Sequence, residues 1–285
     1  MIILGDNPFF GVNHASSAQA SGYYARLKAR DWSAAHATMR AALANQVDHF
    51  MVSTHAEAPD LLASMQADPE LRAFRIIPAV PYLHRLNGMV ATRGVPAAML
   101  ASMDYPRAAR SLFATGSVPA AALAGFVARE VEEVASLGFE VPAIALQNIF
   151  VDLLLGLGQA THVNRLAHDL ARTGRRLVAI TMNPVLADRL LDPAIVLCTH
   201  YNVLGYMVQP DLDGFRAWLE GTQRETWAMG VMASGRAKLA EVVADPSLHR
   251  FHSLLIGASR PASIAAFVAG VAGARGEAPA HAAQH

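Results

Sequence analysis

The sequence predicts a single (β/α)8 TIM barrel, and three observations predict it. Eight runs read as strands, each ending in small or polar residues: MIILGDN, HFMVSTH, RIIPAVPY, VPAIALQN, RLVAITMN, AIVLCTHYN, TWAMGVMAS and SLLIGAS. Five of the seven gaps between them run to about 20 to 40 residues, room for one crossover helix and its loops. The total of 285 residues suits one barrel, and there is no repeat beyond the strand–helix alternation. Barrel chemistry gathers at the C-terminal ends of the strands, so the prediction locates a site before it says what the site does.

The elements follow in order. Strand 1 covers Ile2–Gly5, and the long loop from Asp6 to Arg30 after it is rich in Gly, Asn, Ser and His. Asp31 can cap a helix that runs to about Asn45. Strand 2 spans His49–Thr54, a helix carrying Leu61 and Leu62 follows, and strand 3 is Ile76–Tyr82. The segment from Leu83 to Phe139 exceeds one crossover and holds the turn signals Asn87-Gly88, Arg93-Gly94 and Asp104-Tyr105-Pro106. Residues 83–118 are read as a lid insertion over the barrel mouth, ahead of a helix from Pro119 to Leu137. Strands 4 to 8 fall near residues 143–148, 177–182, 195–200, 227–232 and 253–257. The barrel domain is expected over residues 1–272, with 273–285 a small, polar, disordered tail.

Composition narrows the function classes. The chain is 53% apolar and 16% charged with a formal net charge of zero, and its basic residues are scattered. That leaves no footprint for nucleic acid or a membrane surface. The longest apolar stretch, Ile144–Leu157, is interrupted by Gln147, Asn148 and Asp152, so no membrane span is expected. The chain opens directly into a strand without a signal-peptide pattern, and its lone Cys198 fits a reducing cytoplasm. Only Lys28 and Lys238 are lysines, against 21 arginines, and no strand ends in lysine, which disfavours Schiff-base aldolase chemistry.

Strand alternation sorts side chains into two faces. Taking the bulkier aliphatic face as the one packed on helices puts Val178, Ile180 and Met182 outward on strand 5, with Ala179, Thr181 and Asn183 inward. The same rule turns Cys198, His200 and Asn202 inward on strand 6, Gln147 on strand 4, and Ser53 and His55 on strand 2. The uppermost inward layer then reads Asn7, His55, Gln147, Asn183, His200, Asn202, Ser234 and Ser259, with Asp6 and Glu57 the only acids near a strand end. Histidine titrates near neutrality, so His55 and His200 on opposite walls are the expected acid and base, with Gln147 and Asn183 beside them. Asn7, Asn202, Tyr82 and Arg85 are expected to bind substrate. His14 and His84 are further candidates, and His14, His55 and His200 would make a three-histidine metal site, although the chain has no HxH or HExxH spacing. Ser234-Gly235-Arg236 and Gly257-Ala258-Ser259-Arg260 close strands 7 and 8, where barrels hold phosphate through exposed amides and a helix N-terminus. Arg236 and Arg260 would add charge to that clamp.

Four of these segments, LVAITMNP, IVLCTHYNVL, GVMASGRAKL and LLIGASRPASI, resemble the aldo-keto reductase superfamily in order and spacing over about residues 177–270. HFMVSTHAEAPDLL resembles that family's first barrel strand, and MIILGDNPFFGVNH stands as an added strand in front. The resemblance implies a barrel whose Gly-Ser-(Lys/Arg)-Pro loop holds the phosphate of a nicotinamide dinucleotide, NAD(P). The family's catalytic tetrad is not matched. Its aspartate falls at Met51 or Val52, its tyrosine near His55 or Glu57, its lysine at Tyr82 and its histidine at Gln147.

The expectation is therefore a cytoplasmic barrel enzyme doing histidine-mediated acid–base chemistry on a small anionic metabolite, as a lyase, isomerase or decarboxylase. The alternatives are a divergent NAD(P)-dependent oxidoreductase and a non-catalytic ligand-binding barrel. A divalent metal and assembly into a homo-oligomer stay open.

Overall fold

The computed structural model describes residues 1–10, 30–82, 92, 97, 101–115 and 118–275. Eight parallel strands close into a barrel in sequence order: β1 (Ile2–Gly5), β2 (His49–Ser53), β3 (Arg75–Val80), β4 (Ala143–Leu146), β5 (Arg176–Thr181), β6 (Val196–His200), β7 (Thr226–Met229) and β8 (Ser253–Gly257). β1 pairs with β2 on one side and with β8 on the other, from Ile2 against Leu254 to Gly5 against Gly257. The opening strand is thus an integral barrel strand, and it is the one that closes the sheet.

The crossovers carry α1 (Ser33–Ala44), α2 (Ala58–Gln66), α3 (Tyr105–Thr115), α4 (Val118–Ala135), α5 (Asn148–Gly156), α6 (Ala160–Ala171), α7 (Pro184–Leu190), α8 (Leu212–Gly221), α9 (Leu239–Val243) and α10 (Pro261–Arg275). Local chemistry sets their ends. Asp31 accepts from the Ser33 amide and hydroxyl ahead of α1, and Asp211 accepts from the Gly214 amide at the start of α8. The apolar run at Ile144–Leu157 divides into β4 and α5 instead of forming one long helix. Among the described residues no helix is long and apolar enough to cross a membrane. Of the expected insertion at 83–118, α3 is described, and it packs on α4. A Cβ on Gly125 of α4 would stand 3.1 Å from Ala108, so the glycine permits the close approach. The rest of the lid reading, with Arg85 and His84, lies outside the described residues. α10 continues through Arg275, so residues 273–275 belong to that helix and not to a tail.

The apolar residues form two concentric sets. Outside the sheet, Leu4, Phe50, Val52, Ile76, Ile144, Leu146, Leu177, Leu197 and Leu254 pack against the helices. Inside, Ile3, Met51, Ile77, Ala79, Ala143, Ala145, Val178, Ile180, Val196, Cys198 and Trp227 fill the barrel. Inward parity is as expected on β2, β4 and β6, but β5 is reversed: Val178 and Ile180 point in, and Ala179 faces the helices. The reason is volume. The inner faces of β3 and β4 present Ala79, Ala143 and Ala145, and the branched residues of β5 fill the space those alanines leave. Reversal turns Thr181 outward, where its hydroxyl donates to Asp152 of α5 at 2.5 Å.

Below the β6–β7 crossing, the Arg224 side chain is 4% exposed and binds the Asp188 carboxylate together with the carbonyls of Asp188, Leu191, Asp192 and Ile195. This one guanidinium ties the segment after α7 to the entry of β7. Removing it would take the donor from these buried carbonyls and the counter-charge from a carboxylate that Trp218 and Thr222 would then hold alone. Arg224→Ala is therefore expected to lower unfolding free energy by about 3–5 kcal/mol in urea titration; a loss within about 0.5 kcal/mol, the range of ordinary surface changes, would show the clamp to be inert.

Candidate functional site

A cavity of about 1040 Å³ opens at the C-terminal ends of the strands. Its floor is apolar, made by Met51, Ala79, Ile180, Met229 and Leu255 on top of the filled barrel. Polar groups enter from one strand end after another: Asp6 and Asn7 after β1, Ser53 from β2, Gln147 and Asn148 after β4, His200 from β6, Ser234 after β7, and Ser259, Arg260 and Ser263 after β8.

Asp6 is the group that alternation alone did not place. It is 6% exposed yet lines the cavity, and its carboxylate accepts from the Ser53 amide at 2.6 Å across the β1–β2 seam. Burial raises its pKa from 3.8 to about 6, against the lowering effect of hydrogen bonds from Ser53 and from its own backbone. Beside it the Tyr82 phenol is also pushed up, by burial first and then by the negative charges of Asp6 and Glu57. The buried Glu130 of α4 accepts from the Thr54 hydroxyl and from the Tyr82 amide, fastening the ends of β2 and β3 together. No sequence spacing marks Glu130, because it reaches the rim from the middle of a crossover helix.

Gln147 precedes α5 and is tied to β3: its amide donates to Val80 O at 2.9 Å and Nε2 donates to Ala79 O at 3.3 Å. Its carboxamide oxygen has no protein donor among the described residues and remains available to a ligand. His200 packs against Gly230, where a Cβ would fall 2.7 Å from His200 Nδ1 and φ is +67°. Glycine at 230 is needed both for that backbone turn and for the ring's seat.

The β7–β8 side has a different character. Ala233, Ser234 and Gly235 take successive φ values of 47°, 58° and 86°, a left-handed turn in which only the glycine is free of strain. The Ala233 and Gly235 amides donate to Gly230 O and Met232 O, whereas the Ser234 amide has no protein acceptor among the described residues. Next to it α10, 15 residues long, begins at Pro261, directly after Arg260, and its first-turn Ser263 also lines the cavity. An unpaired amide, an arginine and a helix N-terminus at one rim can hold an anionic group. Gly257 has another duty: a Cβ there would meet the Pro8 ring at 3.2 Å, so it allows the β1 loop to fold over β8.

The structure thus brings Asn7, Gln147, His200, Ser234, Gly235, Gly257, Ser259 and Arg260 to one cavity. It does not bring His55, Tyr82, Asn183, Asn202 or Arg236 to its wall. His55 lies against Phe10 and Tyr82, with ring centroids 4.4 and 4.1 Å away. Asn183 falls on the outward parity of β5 and caps α7 by accepting from the Leu186 amide. Asn202 is buried, and its side chain closes a loop by bonding the amide and carbonyl of Tyr206. Arg236 lies over the Tyr206 ring, 4.6 Å from its centroid, and Tyr206 in turn lines the cavity. Arg85 and His14 lie outside the described residues. Among those described, no three His, Cys, Asp or Glu side chains are grouped to hold a metal ion.

No family model and no curated protein matches the sequence. Solved structures do match the fold. Two structures of a provisionally assigned aldo-keto reductase from Pseudomonas aeruginosa superpose with TM-scores of 0.56 and 0.55, each at 14% identity over 96% of this chain and 90% of theirs. A glycerol dehydrogenase from Gluconobacter oxydans gives 0.48 at 11% identity, over 95% of this chain and 85% of its own. The chain therefore shares the (β/α)8 barrel fold of the first two structures. The lyase, isomerase or decarboxylase expectation is corrected on this finding, because the two structures that share the barrel with TM-scores above 0.5 are of a protein described as an aldo-keto reductase.

Two outcomes follow from the site's geometry. Gly230→Ala is expected to displace the His200 ring and to cost about 1–2 kcal/mol through its left-handed backbone alone, read as a lowered urea midpoint. Asp6 has a raised folded pKa, so its contribution to stability is fully present below the unfolded value of 3.8 and is lost as pH rises through about 6. Asp6→Asn should leave stability near pH 4 almost unchanged and raise it near pH 7.5 by up to about 3 kcal/mol, flattening the profile of melts taken between these limits.

Proposed function

We propose that this protein is a nicotinamide-dependent oxidoreductase acting on a small carbonyl or alcohol, with the β7–β8 rim holding the anionic part of the cofactor. The observation that carries the reading is the unpaired Ser234 amide set beside Arg260 and the start of α10, on the wall of a cavity whose opposite side is polar over an apolar floor. At about 1040 Å³ the cavity stands at the top of the range for cofactor sites, enough for an extended molecule and a small substrate together. The reductases among the fold's solved neighbours support the same reading.

The donor set fits a phosphate-bearing dinucleotide. Ser234 N–H, the Arg260 guanidinium and the positive end of α10 would bind its charged oxygens, and Ser259 lines the same cavity. When bound, such a cofactor supplies or accepts a hydride. The chain's own residues do the rest. Met51, Ala79, Ile180, Met229 and Leu255 exclude water from the floor, which strengthens every polar contact made there. Gln147, held by β3 through Nε2, offers its carboxamide oxygen as an acceptor for a substrate hydroxyl without adding charge.

Fluorescence titration with NADH and NADPH tests this reading. Wild type should bind at least one of them, and Arg260→Ala should weaken it by about 10- to 150-fold, the value of one charge-assisted contact of about 1.5–3 kcal/mol. No binding of either cofactor to wild type, or unchanged affinity in Arg260→Ala, would overturn it.

A further inference from the structure

We infer that Asp6, at the end of β1, exchanges the proton with the substrate oxygen, an inference that rests on the oxidoreductase reading above. Its placement argues for this. Asp6 is the carboxyl on the cavity wall among the described residues, and it stands where the polar rim meets the apolar floor. Ser53 fixes its orientation through the short amide contact. No arginine, lysine or histidine forms an ion pair with it among the described residues, although the Asp188, Glu225 and Asp245 carboxylates all have arginine partners. A buried carboxyl without a cation destabilises the fold whenever it is ionised, and the structure gives it no clamping duty comparable to that of Asp188.

The surrounding charges keep the proton available. From β2 come His55 and Glu57, from β3 Tyr82; β8 leads to Arg260 on the same cavity wall, and β6 contributes His200. Asp6 raises the pKa of the Tyr82 phenol together with Glu57, so the three acidic groups share one field. With its pKa at about 6, Asp6 is present in both forms close to neutrality, as a proton-exchanging group must be.

In the reducing direction a bound reduced nicotinamide would supply the hydride to the carbonyl carbon and be left oxidised, while the carbonyl oxygen gains the proton of the Asp6 carboxyl. One carboxyl O–H bond breaks, one alcohol O–H bond forms, and Asp6 is left as a carboxylate that recovers its proton from water. In the oxidising direction the carboxylate takes the alcohol proton. Reduction therefore slows, and oxidation speeds up, as pH rises through the titration of Asp6.

The test uses the full chain as wild type, Asp6→Asn and Asp6→Glu, with NADPH or NADH and the probes p-nitrobenzaldehyde and glyceraldehyde. The carboxyl titration is followed separately by NMR on protein labelled with ¹³C at aspartate carboxyls. Asp6→Asn should keep its cofactor affinity, lose turnover by about 10²- to 10⁴-fold and lose the pH dependence that wild type shows. Asp6→Glu should recover part of the rate, and one aspartate resonance titrating well above the others should vanish in Asp6→Asn. Wild-type turnover with an unaltered pH profile in Asp6→Asn overturns the inference, as does an Asp6 resonance titrating with the ordinary aspartates. So does a wild type that binds cofactor but reduces neither aldehyde. If Asp6→Asn fails to fold, the wild-type titration and the Asp6→Glu profile decide by the same criteria. A wild type that binds neither nicotinamide overturns the oxidoreductase reading and this step with it, whereas the outcomes above strike Asp6 alone.

Discussion

Each barrel strand must be paired on both sides, and the last pairing, β1 with β8, decides where chemistry can be placed. A closed parallel sheet leaves no free edge, and its interior is too narrow for anything but packed side chains. Ile3, Met51, Ile77, Val178, Val196 and Trp227 fill it completely enough that an unpaired polar group would be costly below the rim. Polar residues are therefore tolerated at the strand ends. Asp6 sits at the limit of that rule: one residue beyond β1, it is almost enclosed but still borders the cavity.

The closure also gives the cavity its polarity. Near β1 the acidic Asp6 lines the cavity, whereas the β7–β8 side carries Arg260 and the positive end of α10, with Arg236 just behind that wall. The whole molecule has a formal net charge of zero, so this separation is local, made by which strand ends meet around the rim. A dinucleotide with its charged end at β7–β8 would reach toward the acidic side with its neutral part. The same layout explains why Arg236 leans on Tyr206: the cation stays at the rim but is held by a neutral ring instead of a carboxylate.

The positive-φ turn at Ala233–Gly235 belongs to the same design. Two non-glycine residues in the left-handed region cost of order 1–3 kcal/mol each, and Ala233 is buried where it adopts that conformation. Among the described residues the turn leaves the Ser234 amide without a partner on the cavity wall, a feature that packing alone gives no reason to keep.

Strand order, the barrel class and most strand limits were legible because they depend on local patterns: apolar runs of four to six residues punctuated by Gly, Asn, Ser and Pro. Ile2–Gly5 and Ser253–Gly257 were read to the residue. Inward residues were legible on β2, β4 and β6, where Gln147 and His200 kept their expected side, and the glycine-bearing ends of β7 and β8 do meet at one cavity. What failed was the rule that bulk faces the helices, which put Asn183 in the cavity when it caps α7. Which face of β5 turns inward is settled by the alanines of β3 and β4, residues distant in sequence, so no pattern within β5 could report it. For the same reason alternation left Asp6 unplaced: its raised pKa comes from burial among neighbouring strands, which outweighs the lowering effect of the Ser53 hydrogen bond. The sequence by itself determined the alternation of strands and helices and hence the barrel and the end at which its site lies. Only the tertiary structure decided which polar residues cap, which close loops and which face the cavity, because those outcomes depend on volumes and charges brought together from different strands.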